Sequence, residues 1–295
     1  MNGLYAALAD FAQRGVLPDL FRYPWFVRGL LAALVLAPLL GTLSHVVVAR
    51  RLAFLSTALG QAALTGLTIG LALGEPIDGP YGGIAGFCLL SALAMVWLKR
   101  RSTLPTDTLI GVFAAFTLGL GICLLVAVTQ RFNIHQIEAV MFGSLLTVTT
   151  RDLILLAAMT VAALLVLARR YNELVLDSVA PPLARAAGVP GALVDYLFVV
   201  LLTVAIVVSL KVIGALLVEA LVVVPAAAGR NLARGMRGYL AWSVACALAA
   251  GLGGLALSSV VQVPSGGAVV LALSAIFFVT LALGALLRAR ERRRA

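Results

Sequence analysis

Between Gly238 and Leu287 the chain carries no charged side chain. That stretch can cross a bilayer twice at about 20 residues per crossing, and Val263-Pro264-Ser265-Gly266-Gly267 supplies the break between the two passes. The rest of the 295-residue chain follows the same pattern, with 62% hydrophobic and only 12% charged residues and a mean hydropathy of +1.10. A soluble domain carries about 25% charged residues. Lipid is therefore the solvent for most of this surface.

Apolar runs lie at about 27–49, 52–74, 81–98, 104–128, 140–168, 193–210, 212–229, 238–260 and 267–287, each bounded by charge or by Gly and Pro. They predict an all-α, polytopic membrane protein with eight or nine crossings. The fifth run is interrupted by Arg151-Asp152, and the short sixth and seventh runs meet at Lys211. A short or re-entrant helix fits there, because irregular backbone at membrane depth is tolerated where protein or a cavity surrounds it.

If the chain changes sides at each run, one face collects sixteen of the 22 basic residues: Arg50, Arg51, Lys99, Arg100, Arg101, Arg169, Arg170, Arg185, Arg230, Arg234, Arg237 and the five arginines of the tail. The positive-inside rule makes that face cytoplasmic. The net charge of +10 is then an orientation signal and not a nucleic-acid footprint. The expected organisation is an N-terminal extracytoplasmic or interfacial segment (1–26), a transmembrane domain (27–288) with a long cytoplasmic loop at 171–192, and a basic tail (289–295). With Asp10 and Asp19 and no basic stretch ahead of an apolar run, the N-terminus does not read as a cleaved signal peptide. Cys88, Cys123 and Cys246 each sit inside an apolar run and read as small core residues. Gly66, Gly70 and Gly74, and again Gly82 and Gly86, recur at four-residue spacing, the pattern that lets helix backbones approach closely in lipid.

Several chemistries are excluded. The only lysines, Lys99 and Lys211, do not follow a glycine, so the chain has no phosphate-binding GxxxxGK[ST] loop and any ATP is hydrolysed by another chain. Neither a Ser/His/Asp set nor an HExxH motif is present, and the chain does not read as an enzyme. Glu219 stands near the middle of the run 212–229. A carboxylate there is costly and marks a substrate or proton pathway; the other reading is a protonated glutamate bonded to a neighbouring helix. Pro225, six residues on, predicts a kink. His45 in the first run reads as a structural histidine. His135 and Glu138, three apart in an external loop, form a candidate cation-gathering pair at the outer mouth.

Within 171–192, Pro181-Pro182 stops one element, Leu183-Ala184-Arg185-Ala186-Ala187 can form a short helix, and Gly188 followed by Pro190 ends it. Several blocks in order, namely YPWFVRGLLA from Tyr23, RRLAFLSTALGQAALTGLTIGLALG (50–74), LDSVAPPLARAAGVPGALVDYLF (176–198), SLKVIGALLVEALVVVPAAAGRNLA (209–233) and VPSGGAVVLALSAIFF (263–278), resemble the zinc and manganese ABC-importer permeases. That resemblance implies a type II importer fold and a multi-pass protein of the bacterial plasma (inner) membrane. It implies import of a divalent metal (zinc or manganese, with iron as a third option) driven by ATP and Mg²⁺ on partner ATPase subunits. An extracytoplasmic metal-binding protein and a second permease copy or paralogue would complete the assembly. The short helix, with Leu183, Ala184, Arg185, Ala186 and Gly188, resembles the coupling helix that docks on the ATPase.

The resemblance departs from the family pattern at the metal site. Where family members commonly read GDALSHA, this chain has Ser56-Thr57-Ala58-Leu59-Gly60-Gln61-Ala62, so Thr57 and Gln61 replace an aspartate and a histidine. Both are weak zinc ligands. Lying four apart on one helix face, they can offer oxygen to a harder ion such as manganese. Thr57, Gln61 and Glu219 are the candidate pathway residues. An ion-coupled secondary transporter using Glu219 is the competing reading, opposed by the lack of an internal repeat and of further mid-membrane acids.

Overall fold

A computed structural model describes residues 23–75, 81–129, 148–261 and 263–292. In chain order the helices are α1 (Pro24–Ala49), α2 (Leu55–Ala72), α3 (Tyr81–Arg101), α4 (Thr106–Thr129), α5 (Thr150–Val179), α6 (Pro181–Ala186), α7 (Gly191–Ile213), α8 (Ala215–Leu232), α9 (Met236–Val261) and α10 (Ser265–Arg292). Among the described residues, all but α6 are long and apolar enough to cross a membrane, which gives nine spans.

Two groups of helices make the bundle. One is α1, α8, α9 and α10; the other is α2, α3 and α4. They are joined where α8 touches α2, and by α5 and α7, which bridge α1 to α3. Helices α1 and α2 are the most buried, whereas α4 and α10 lie at the perimeter with most of their surface outward. Outward Leu, Val and Phe side chains such as Leu90, Phe116, Leu271 and Phe278 are the surface that lipid would cover.

Glycine governs one of these contacts. A Cβ on Gly66 would come 2.6 Å from the Gly83 carbonyl oxygen and 2.7 Å from the Ile84 Cα, and one on Gly83 would come 2.6 Å from the Gly70 backbone nitrogen. The α2 and α3 backbones thus touch directly, as small residues permit in lipid. The seam uses Gly66, Gly70 and Gly83. Gly86 faces open space, and Gly82 lies against the Glu75 carboxylate, which accepts the Gly83 N–H at 3.1 Å. Cys88 and Cys246 are buried as expected, but Cys123 is exposed on the face of α4.

Arg151-Asp152 begins a helix and does not interrupt one. Thr149 Oγ1 accepts the Asp152 N–H at 3.3 Å and the Asp152 carboxylate accepts the Thr149 N–H at 3.2 Å, a reciprocal cap that starts α5. At its other end α5 runs on through 171–179, so the connection shortens to the residues around α6. The α7–α8 break falls at Gly214 (φ 78°, ψ 166°) and not at Lys211. Pro225 lies inside α8. On either side of it Ser44 of α1 bonds the α8 backbone: its Oγ accepts the Ala226 N–H at 3.0 Å and donates to the Val223 carbonyl at 3.4 Å, as neighbouring helices can do around a proline in a membrane.

Candidate functional site

Glu219 lies on the second turn of α8, just beyond the Gly214 break. Thr57 is in the first turn of α2 and Gln61 one turn further. Glu219 reaches α2 where the two helices meet, against Gly60 and near Thr57, and Gln61 follows one turn on from Thr57 on the same helix. Thr57 lies within interaction range of the Glu219 carboxylate. That carboxylate lies directly against Gly60, where a Cβ would overlap it, so the residue between Thr57 and Gln61 must be small for the acid to reach α2. Gln61 Oε1 is buried and has no hydrogen-bond partner among the described residues. The Glu219 carboxylate thus meets α2 between Thr57 and Gln61, where a hydroxyl and an amide oxygen stand one turn apart on the same helix face.

All three side chains are half-buried, and exposed Phe54 and Leu216 stand on the same two helices, one turn before Thr57 and one turn before Glu219. The patch opens outward from the single chain and is not sealed in the core. Among the described residues no three His, Cys, Asp or Glu side chains converge, so any cation held here takes most of its ligands from neutral oxygens, water or a second chain. His135 and Glu138 lie outside the described residues. His45 is fully buried and packs on rings from other helices, 4.4 Å from the Tyr239 ring and 6.0 Å from that of Tyr171.

At the basic end of the bundle, α6 projects between α5 and α7. Its two prolines occupy the first helical positions, where no N–H is missed. Gly188 (φ 77°) ends it. The Val189 N–H donates to the Ala184 carbonyl at 3.0 Å and the Gly188 N–H to that of Arg185 at 3.1 Å, the paired bonds of a Schellman cap. Ala184 is buried and anchors the helix, whereas Leu183, Arg185, Ala186 and Gly188 are exposed. Residues capped so firmly, on so short and exposed a helix, present a fixed knob to whatever lies beyond the bundle.

Two features escaped the sequence reading. Gly60 is needed for its missing side chain, which no spacing rule marks. Arg50, read only as an orientation charge, is buried with 5% of its side chain exposed and bonds Asp177 at 2.9 Å and Asp195 at 2.6 Å. The acids at 177 and 195, on either side of the short helix, were the available signal.

Nine apolar spans among the described residues, with an acid just past a helix break and no nucleotide loop in the sequence, fit a multi-pass membrane permease. The chain belongs to the ABC 3 transport family, whose model matches residues 22–284. It is 30% identical over 260 residues to the high-affinity zinc uptake system membrane protein ZnuB of Haemophilus influenzae, covering 88% of this chain and 96% of that one. Over 253 residues it is 27% identical to the manganese import system permease protein ScaB of Streptococcus gordonii, covering 86% and 89%. The solved structure of PsaBC from Streptococcus pneumoniae in complex with Fab has a chain that superposes with a TM-score of 0.76 at 25% identity, covering 93% of this chain and 94% of that one.

Proposed function

We propose that this chain is the pathway-forming subunit of an ABC importer for a divalent transition metal, with manganese favoured over zinc, and that Thr57, Gln61 and Glu219 contact the metal in transit. The observation that carries this reading is the oxygen cluster at the α2–α8 junction. Its donors are a carboxylate, a hydroxyl and an unpartnered amide oxygen, a hard set that suits manganese better than zinc, which prefers imidazole and thiolate. The similarity to zinc and manganese permeases supports the cargo class. The half-open position of the cluster supports a passage completed by a second copy or a paralogue, whose facing residues would add ligands.

The basic end of the bundle is cytoplasmic in this reading, and α6 docks there on an ATPase subunit that binds ATP and Mg²⁺. A metal-binding protein delivers cargo from the opposite side of the bacterial inner membrane. The chain itself hydrolyses nothing. His135 and Glu138 gather cations at the outer mouth.

Glu219→Gln keeps the shape of the side chain and removes its charge. Loss of even an outer partner of a metal ligand costs roughly 10–100-fold in affinity, and loss of the one charged donor costs at least as much. The test is Mn²⁺ and Zn²⁺ uptake by the complete transporter in proteoliposomes. Uptake at low metal concentration should fall at least tenfold while the complex still assembles; wild-type uptake would remove Glu219 from the pathway. The same vesicles without the ATPase should take up no metal. Uptake there, driven by a proton gradient, would favour an ion-coupled carrier instead.

A further inference from the structure

Helix α6 is flanked by two aspartates, Asp177 on the last turn of α5 and Asp195 on the first turns of α7. Both are held by one side chain from a third helix. Arg50, the C-cap residue of α1, bonds Asp195 Oδ1 through Nη1 at 2.6 Å and Asp177 Oδ2 through Nη2 at 2.9 Å, and its Nη2 lies 3.5 Å from the Leu174 carbonyl oxygen. Its guanidinium carbon lies 5.4 Å from the centre of the Phe198 ring on α7. Lys99 and Arg100, at the end of α3, come within 3.6 Å and 4.0 Å of Asp195. Four transmembrane helices thus meet at the root of α6. The planar fork of an arginine offers separate N–H groups to two carboxylates in one fixed geometry, whereas a lysine presents a single compact charge.

Arg50 also begins a rigid elbow. Arg51 takes φ 57°, a left-handed conformation costly to a residue with a Cβ. The Leu52 N–H donates to the Val47 carbonyl at 2.9 Å and the Arg51 N–H to that of Val48 at 3.2 Å, which closes the end of α1 in a Schellman cap. Leu52 is buried. Three residues later α2 starts, and its first turn carries Thr57. From α6 to the oxygen cluster the connection is therefore continuous: two aspartates, one guanidinium, a fixed turn and the first turn of α2. Coupling between distant sites travels through such contiguous networks when their elements move as units.

We propose that Arg50 is the positioning residue through which displacement of α6 reaches the cation site on α2 and α8. This rests on the reading of α6 as the ATPase-docking helix. In this mechanism, ATP-driven movement of α6 shifts the ends of α5 and α7, Arg50 obliges the α1–α2 elbow to follow, and the elbow changes how Thr57 and Gln61 face Glu219. Without the guanidinium the ATPase still docks and cycles, but its strokes no longer open and close the passage.

The experiment uses the complete transporter, permease with ATPase and binding protein, in proteoliposomes supplied with Mn²⁺ or Zn²⁺. ATP hydrolysis and metal uptake are measured together for Arg50→Gln and Arg50→Lys. With Arg50→Gln the ATPase should co-purify at the wild-type ratio and continue to hydrolyse ATP, while metal carried per ATP falls about tenfold, within the span of ordinary coupling energies; Arg50→Lys should fall in between. An unchanged metal-to-ATP ratio overturns the proposal, including the case where hydrolysis and uptake decline in parallel, which is what a purely structural role would give. If Arg50→Gln does not assemble, the ratio for Arg50→Lys decides by the same rule. Ala186→Trp, on the exposed face of α6, tests the underlying reading separately. Loss of ATPase from that variant supports docking through α6, and retained ATPase with normal uptake removes it whatever Arg50 does.

Discussion

The two halves of α2 are built on opposite principles. In the C-terminal half the packing is closed: Gly66 and Gly70 lie backbone to backbone with Gly83 of α3, and the Thr65 hydroxyl donates to the Thr117 carbonyl of α4 at 2.6 Å. In the N-terminal half Thr57 and Gln61 are half-buried, and one buried amide oxygen has no hydrogen-bond partner among the described residues. Leaving a buried polar atom unpaired costs about 1–3 kcal/mol, and such a cost persists where something other than the chain itself supplies the partner. The closed half fixes where the helix sits, and in the proposed function the open half keeps valence for a cargo. One helix would then serve as both strut and ligand, with the stiff contact and the exchanging contact two or three turns apart.

If that division is real, filling the closed half is the more damaging change. In Gly83→Leu the new Cβ meets the backbone of Gly66 and Gly70, which cannot rotate away as a side chain would. Overpacking a core costs about 1–3 kcal/mol, and more where nothing can yield, against a total stability of roughly 5–15 kcal/mol. Expression should give little monodisperse protein in detergent, with a strongly lowered melting midpoint. A variant with wild-type yield and melting would show that α2 and α3 are free to separate and that the comparison between the halves fails.

Changes in the open half should alter selectivity more than folding. Thr57→Asp with Gln61→His restores the pattern that the sequence resembles and puts a second carboxylate and an imidazole beside Glu219. Like charges so close destabilise the metal-free state, and zinc prefers this donor set. The double variant should therefore shift relative uptake from Mn²⁺ towards Zn²⁺ by about tenfold. Zn²⁺ should also raise its melting midpoint: at 100 times the dissociation constant, ligand linkage contributes about 2.7 kcal/mol. If Zn²⁺ neither stabilises the variant nor changes its preference, the N-terminal half of α2 does not face the cargo.

The spans were legible in the sequence because bilayer thickness imposes a length and an apolar composition on each helix, so an uncharged stretch such as 238–287 has few other fates. The short helix at 181–186 was legible from its prolines and Gly188, since caps are set by local backbone chemistry. Glu219 was legible because an acid inside an apolar run is rare. What the sequence hid was relational. That Gly83 and not Gly82 or Gly86 forms the seam depends on the rotation of α3 about its axis, which apolar composition all round the helix does not encode. That the chain breaks at Gly214 while α8 runs on past Pro225 is settled in the packed bundle, where Ser44, 182 residues before Ala226, bonds the backbone beside the proline. The Arg50 bridge needs α1, α5 and α7 to end at one level, a property of the assembled bundle alone.

The smallest expected effect sharpens the comparison from the α8 side. Ser44 supplies α8 with an acceptor and a donor on either side of Pro225, in the turns that follow Glu219, so it belongs to the stiff part of the wall that carries the acid. Ser44→Ala removes both bonds and one small polar atom. Interhelical hydrogen bonds in membranes average about 0.6 kcal/mol, less than the loss of a buried bond in water suggests, because the unfolded segment also finds partners in the bilayer. The two bonds together should then cost about 1 kcal/mol in detergent unfolding, with ATP-driven uptake within about twofold of wild type. A much larger loss of uptake than of stability would mean that the Pro225 segment moves during transport and that Ser44 times the movement. The stiff region would then have to be redrawn to end short of α8, leaving α2 alone as the fixed wall of the site.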